Sequence, residues 1–106
     1  MSEKISMTEL YEILKKLKEK EIILDVRGRD EFGASHVPGS QNIPYDEVDQ
    51  HLDELKQWDK IFVYCRSGGR AQIACQVLEK LNLNNLVCIG NSGIKDWVDA
   101  GYPVEK

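Results

Sequence analysis

Three short apolar runs constrain this chain more than any other feature: Ile22-Ile23-Leu24-Asp25-Val26, Ile61-Phe62-Val63-Tyr64 and Leu86-Val87-Cys88-Ile89. None alternates apolar with polar residues, so each reads as a strand buried on both faces, as in a parallel sheet covered by helices. Parallel strands need long crossovers, and the intervening segments carry helical periodicity. Leu10, Ile13, Leu14 and Leu17 recur at i, i+3, i+4 and i+7, predicting a helix over residues 7–18 opened by a Ser6/Glu9 capping box. Val48, Leu52 and Leu55 predict a second helix over residues 46–57. Ala74, Val77, Leu78 and Leu81 predict a third, which Asn82 ends in a left-handed conformation. A short last helix over residues 94–100 carries Trp97 and stops at Gly101, whereas the Gly- and Pro-dense stretch 27–44 reads mostly as loop. The expected fold is α/β, a central, mostly parallel sheet with helices on both faces.

A chain of 106 residues has room for one packed core, so a single domain over residues 1–106 is expected. With 42% hydrophobic and 30% charged residues it can bury enough apolar surface to fold, which argues against disorder. A net charge of −4 and a pI near 5.2 argue against nucleic acid as a partner. The lysines of 15–20 are a solvated helix face. The longest apolar run, Ile61 to Cys65, falls far short of the ~20 residues that span a bilayer, and residues 1–6 lack the apolar stretch of a secretory signal. No membrane partner and a cytoplasmic location are expected. Cys65, Cys75 and Cys88 are an odd number without a CxxC pair, which argues against a disulfide scaffold and gives no support to a structural zinc site. Cys75 and Cys88 read as small core hydrophobes.

Cys65 is different, because it closes a buried strand and opens the glycine-rich turn Cys65-Arg66-Ser67-Gly68-Gly69-Arg70 before the third helix. Open α/β sheets bind ligands at the carboxyl ends of their strands. Gly68 and Gly69 let the backbone curl so that successive N–H groups point inward as an anion-binding nest, and the helix start adds unpaired N–H groups and a positive dipole end. Arg66 and Arg70 add positive charge. A thiolate nucleophile in an anion-binding cup follows; the alternative is a structural cysteine with solvated arginines.

Cys65-Arg66-Ser67-Gly68-Gly69-Arg70 resembles the active-site loop of rhodanese-homology domains, the thiosulfate and persulfide sulfurtransferases. Leu24-Asp25-Val26-Arg27 with Glu31-Phe32, then Ser35-His36-Val37-Pro38-Gly39-Ser40-Gln41-Asn42-Ile43-Pro44, resemble two further family motifs. Ser92-Gly93-Ile94-Lys95-Asp96-Trp97 with Gly101-Tyr102-Pro103-Val104 resembles the closing one. Ser35, Ser40 and Ser92 depart from the family's usual small residues, Ser92 near where its site is walled. The resemblance implies a rhodanese-like fold and sulfane-sulfur transfer through a Cys65 persulfide, with no metal and no organic cofactor. The donor would be thiosulfate or a protein persulfide, and the acceptor a thiol or cyanide. Arg66 and Arg70 would contact donor oxygens, Arg70 alternatively clamping the loop, and Ser67 would offer a hydroxyl to the bound sulfur.

Two other function classes fit less well. A cysteine phosphatase or arsenate reductase also uses a thiolate loop ending in Arg, but the loop here is one residue shorter, a tighter cup than a phosphoryl group needs. A non-catalytic binding or regulatory module of the same fold would typically lose the nucleophile. Elsewhere, Arg27 is expected to pair with Glu31, His36 to make a structural hydrogen bond, and His51 to be solvated. Trp58 and Trp97 are expected to pack.

Overall fold

The computed structural model describes residues 3–106, and within them five strands form one all-parallel sheet. In chain order these are β1 (Glu3–Ile5), β2 (Glu21–Asp25), β3 (Gln41–Asn42), β4 (Lys60–Tyr64) and β5 (Leu86–Ile89), arranged in space as β1-β5-β4-β2-β3. The three central strands are the three apolar runs. Their side chains alternate between two buried faces, which is why the runs are apolar except for Asp25, the last residue of β2. Ile22, Leu24, Ile61, Val63, Leu86 and Cys88 face one layer of the core, and Ile23, Phe62, Tyr64, Val87 and Ile89 face the other.

Helices cover both faces. Helix α1 (Met7–Leu14) and helix α5 (Ile94–Asp99) bury Met7, Leu10, Ile94 and Trp97 against the second layer. Helix α4 (Gly69–Lys80) buries Ala71, Ala74, Cys75 and Leu78 against the first. Helix α2 (Arg29–Ala34) and the short α3 (Leu52–Leu55) complete the set. The Ser6/Glu9 capping box is present at the start of α1, and Asn82 is left-handed (φ 68°) after α4, as the sequence predicts. No helix among the described residues is long and apolar enough to cross a membrane.

Several expectations need correction. Helix α1 stops at Leu14 rather than 18 because the chain tightens to i→i−3 bonds, Lys16 N–H to Ile13 and Leu17 N–H to Leu14, while Leu17 still packs on the core. The helix expected over 46–57 divides into a 3₁₀ turn, Val48–His51, and α3. Strands β1 and β3 are additional. Both lie at sheet edges and are two or three residues long, so backbone pairing defines them and no apolar run announces them. Cys75 and Cys88 are buried as expected, but their sulfurs form a disulfide joining α4 to β5, with Cα atoms 6.6 Å apart. The pairing is a product of tertiary packing: Cys88 points to the face of β5 that α4 covers.

Candidate active site

The site is assembled at the carboxyl end of β4. Tyr64 is the last strand residue, and the chain leaves the sheet at Cys65, whose side chain is buried at 1% exposure. The turn that follows returns toward the sulfur: the N–H of Gly68 donates to Cys65 Sγ at 3.1 Å and the N–H of Ala71 donates at 3.3 Å. Ala71 lies in the first turn of α4, where backbone N–H groups have no partner within the helix. The sulfur therefore receives two donors and the positive end of a helix of 12 residues, an arrangement suited to a charged sulfur.

Two glycines permit this geometry. Gly68 has φ 109°, which side-chain-bearing residues rarely adopt, and a Cβ there would lie 2.6 Å from the backbone nitrogen of Asn91. Gly93 is needed for closeness: a Cβ on it would collide with the carbonyl groups of Cys65 and Arg66. Those carbonyls accept from the N–H groups of Ile94 (2.9 Å) and Lys95 (3.3 Å), so α5 is fastened directly to the Cys65 turn. The hydroxyl of Ser92 accepts from the N–H of Met7 at 3.2 Å and ties the loop to α1.

The charged groups are placed differently from the sequence expectation. Arg27 does not pair with Glu31. Its guanidinium lies against Asp25 at 2.7–3.0 Å and donates to the carbonyl of Ser35 at 2.6 Å, with both side chains nearly fully buried. The two residues stand on either side of the end of β2, so the pair closes within the turn; removing one partner of a buried pair costs about 3–5 kcal/mol. Burial works against the Arg27 charge and the hydrogen bonds to Asp25 more than offset it, leaving its pKa raised. Asn42 locks the same corner by donating to the carbonyls of Asp25 and Arg27 at 2.9 and 3.0 Å.

Glu31 instead receives Arg70 in a two-pronged pair at 2.7 and 3.0 Å. The hydrogen bonds from Arg70, outweighing partial burial and helped by the N–H of Gly28, lower the pKa of Glu31 from 4.5 to about 2. Arg66 and Ser67 are exposed, and Arg66 has no ion pair among the described residues. His36 makes the expected structural bond, Nδ1 to the carbonyl of Phe32 at 2.8 Å, and its ring stacks on that of Phe32. His51 is on the surface beside Glu54, and Trp58 and Trp97 pack in the core. Sequence reasoning missed Ala71 as a donor to sulfur and Glu31 as the partner of Arg70. The first depends only on where the helix begins, and the second spans 39 residues.

A family model for the rhodanese-like domain matches residues 6–100. The chain belongs to the rhodanese-like domain family. A rhodanese-related protein of Thermoplasma volcanium shares this fold with a TM-score of 0.81 and 32% identity, over 97% of each chain. A thiosulfate sulfurtransferase of Pseudomonas aeruginosa is similar with a TM-score of 0.84 at 25% identity, over 98% of this rhodanese-like domain and 20% of that chain. YrkF of Bacillus subtilis strain 168, which bears a sulfur-carrier name, is 35% identical over 75 residues, 71% of this chain. The domain spans 40% of that protein's length and 22% to 59% of other curated relatives it matches. The all-parallel five-stranded sheet with helices on both faces is thus the rhodanese-like fold.

Proposed function

We propose that this domain is a sulfurtransferase that carries sulfur as a persulfide on Cys65. The observation that supports this most directly is the pair of N–H groups converging on Cys65 Sγ at the carboxyl end of a central strand. A sulfur held this way is placed where negative charge on it, or on a second sulfur bonded to it, meets N–H donors, and the sulfurtransferase and sulfur-carrier names of similar proteins point to the same chemistry.

In the first half-reaction the Cys65 thiolate attacks the outer sulfur of thiosulfate. The sulfur–sulfur bond of the donor breaks, sulfite leaves with the bonding pair, and Cys65 becomes a persulfide. In the second, an acceptor thiolate or cyanide attacks the outer persulfide sulfur and Cys65 departs as thiolate. Splitting one transfer into two displacements lowers each barrier, and the curled turn holds negative charge throughout. A protein-borne persulfide would serve as donor by the same attack. Arg66, exposed and without an ion pair among the described residues, is the residue we assign to donor oxygens. Arg70, committed to Glu31, is assigned to bracing the turn, and Ser67 to the outer lip. The whole unit, residues 1–106, is read as one domain that works in the cytoplasm.

Intact mass before and after thiosulfate tests the proposal. The wild type should gain one sulfur atom that cyanide removes, and Cys65→Ser should gain none. Normal turnover by Cys65→Ser would overturn it. Absence of uptake from both thiosulfate and a protein persulfide would favour a binding module.

A further inference from the structure

Beside the Cys65 turn lies a cleft of about 340 Å³, bordered by Arg66, which follows Cys65 directly, and by residues of α2 and α5. On its α2 side the cleft is lined by Glu31, which also holds Arg70 from the far end of the turn. The wall contributed by α5 presents Lys95, Val98 and Asp99, with Val98 half exposed, and Ala34 lies opposite on α2. None of the α5 side chains takes part in the sulfur chemistry described above.

The charge balance of this cleft is specific. Arg27 is neutralised by Asp25, and Glu31 by Arg70, leaving Arg66, Lys95 and Asp99. Lys95 and Asp99 are paired across one helical turn at 3.4 Å, with side chains 56% and 65% exposed. A long, exposed pair of this kind contributes little and yields readily to a competing anion. Among the described residues the cleft therefore has one cation without an ion pair, Arg66, beside the turn and a second, Lys95, that a bound anion can draw from Asp99. The aliphatic surface of Val98 and Ala34 accompanies them.

We infer that Lys95 and Asp99 set the acceptor specificity of this domain, favouring small aliphatic thiols that carry a carboxylate or sulfonate. The inference rests on the persulfide reading of Cys65. The acceptor's methylene chain lies along Val98 and Ala34, its anion takes Lys95 from Asp99, and its thiolate reaches the turn. That thiolate attacks the outer sulfur of the Cys65 persulfide. The persulfide bond breaks, Cys65 leaves as thiolate with the bonding pair, and the acceptor departs as a persulfide. No external oxidant or reductant is required.

The test uses protein loaded with one sulfur on Cys65, verified by intact mass, and follows single-turnover unloading by 3-mercaptopropionate and by neutral 2-mercaptoethanol. The readout is the ratio of the two second-order rate constants. Lys95→Gln should lower that ratio and Asp99→Asn should raise it, each about two- to fivefold, the worth of one exposed ion pair. High salt should shrink both changes by screening. A ratio equal to that of the wild type in both variants would overturn the assignment while leaving the persulfide reading intact. Failure of Cys65 to load from any donor would overturn both together.

Discussion

Arg70 and Glu31, 39 residues apart in sequence, meet in a two-pronged ion pair at 2.7 and 3.0 Å that joins the first turn of α4 to α2. The pair fastens the end of the Cys65 turn to α2, so the anchoring of that turn depends on the charge of Glu31. Glu31 has its pKa lowered from 4.5 to about 2, chiefly by the hydrogen bonds from Arg70. A carboxylate with a depressed pKa contributes stability above its ordinary pKa and loses it as pH falls through the folded value. The stability difference between wild type and Glu31→Gln should therefore be full above pH 4.5 and shrink toward pH 2. Urea midpoints of both proteins over that range check this. A difference independent of pH would contradict the pair's role.

Arg66 contributes differently, since its guanidinium is exposed and unpaired among the described residues. Arg66→Ala should raise the apparent KM for thiosulfate about three- to tenfold, the worth of a partly screened hydrogen bond to an anion, and change kcat less. Steady-state kinetics with thiosulfate at fixed cyanide reads this directly. An unchanged KM would remove Arg66 from donor binding.

Gly93 and Gly33 should respond oppositely to the same substitution. Gly93→Ala drives a methyl group into the carbonyls of Cys65 and Arg66 and should cost about 2 kcal/mol or more. Gly33 lies in α2 with nothing within 4 Å of its would-be Cβ, so Gly33→Ala should be neutral or stabilise by up to about 1 kcal/mol. Chemical denaturation of the two variants gives the comparison.

The Cys75–Cys88 disulfide closes a loop of sequence separation 13 between α4 and β5, while Cys65 stays free. Titration of the denatured, unreduced protein should reveal one thiol, and three after reduction. Reduction should lower stability by about 3 kcal/mol. Three thiols before reduction would show that the pair is not bonded in the purified protein.

What was legible in the sequence followed from interactions that are local or periodic. The three central strands were visible because burial on both faces demands uninterrupted apolar residues, and the Ser6/Glu9 box because it closes within one helical turn. The Cys65 turn was legible for a similar reason: Gly68 must adopt φ 109°, and a glycine pair after a buried strand announces such a bend. Edge strands β1 and β3 were not legible, because backbone pairing with a neighbour defines them and side-chain pattern does not.

The sequence by itself determined the layer architecture and the place of the Cys65 turn at the end of a central strand, since burial periodicity and turn chemistry act over a few residues. Only the tertiary structure decided which charges meet. Asp25 takes Arg27 at the end of one strand, leaving Glu31 free to take Arg70 from the connection between β4 and β5. It also decided that Cys75 meets Cys88 and that Gly93 meets the carbonyls of Cys65 and Arg66. Such pairings depend on the crossing of elements far apart in the chain, and a choice among several acids and bases is settled by packing distance, which no local pattern encodes.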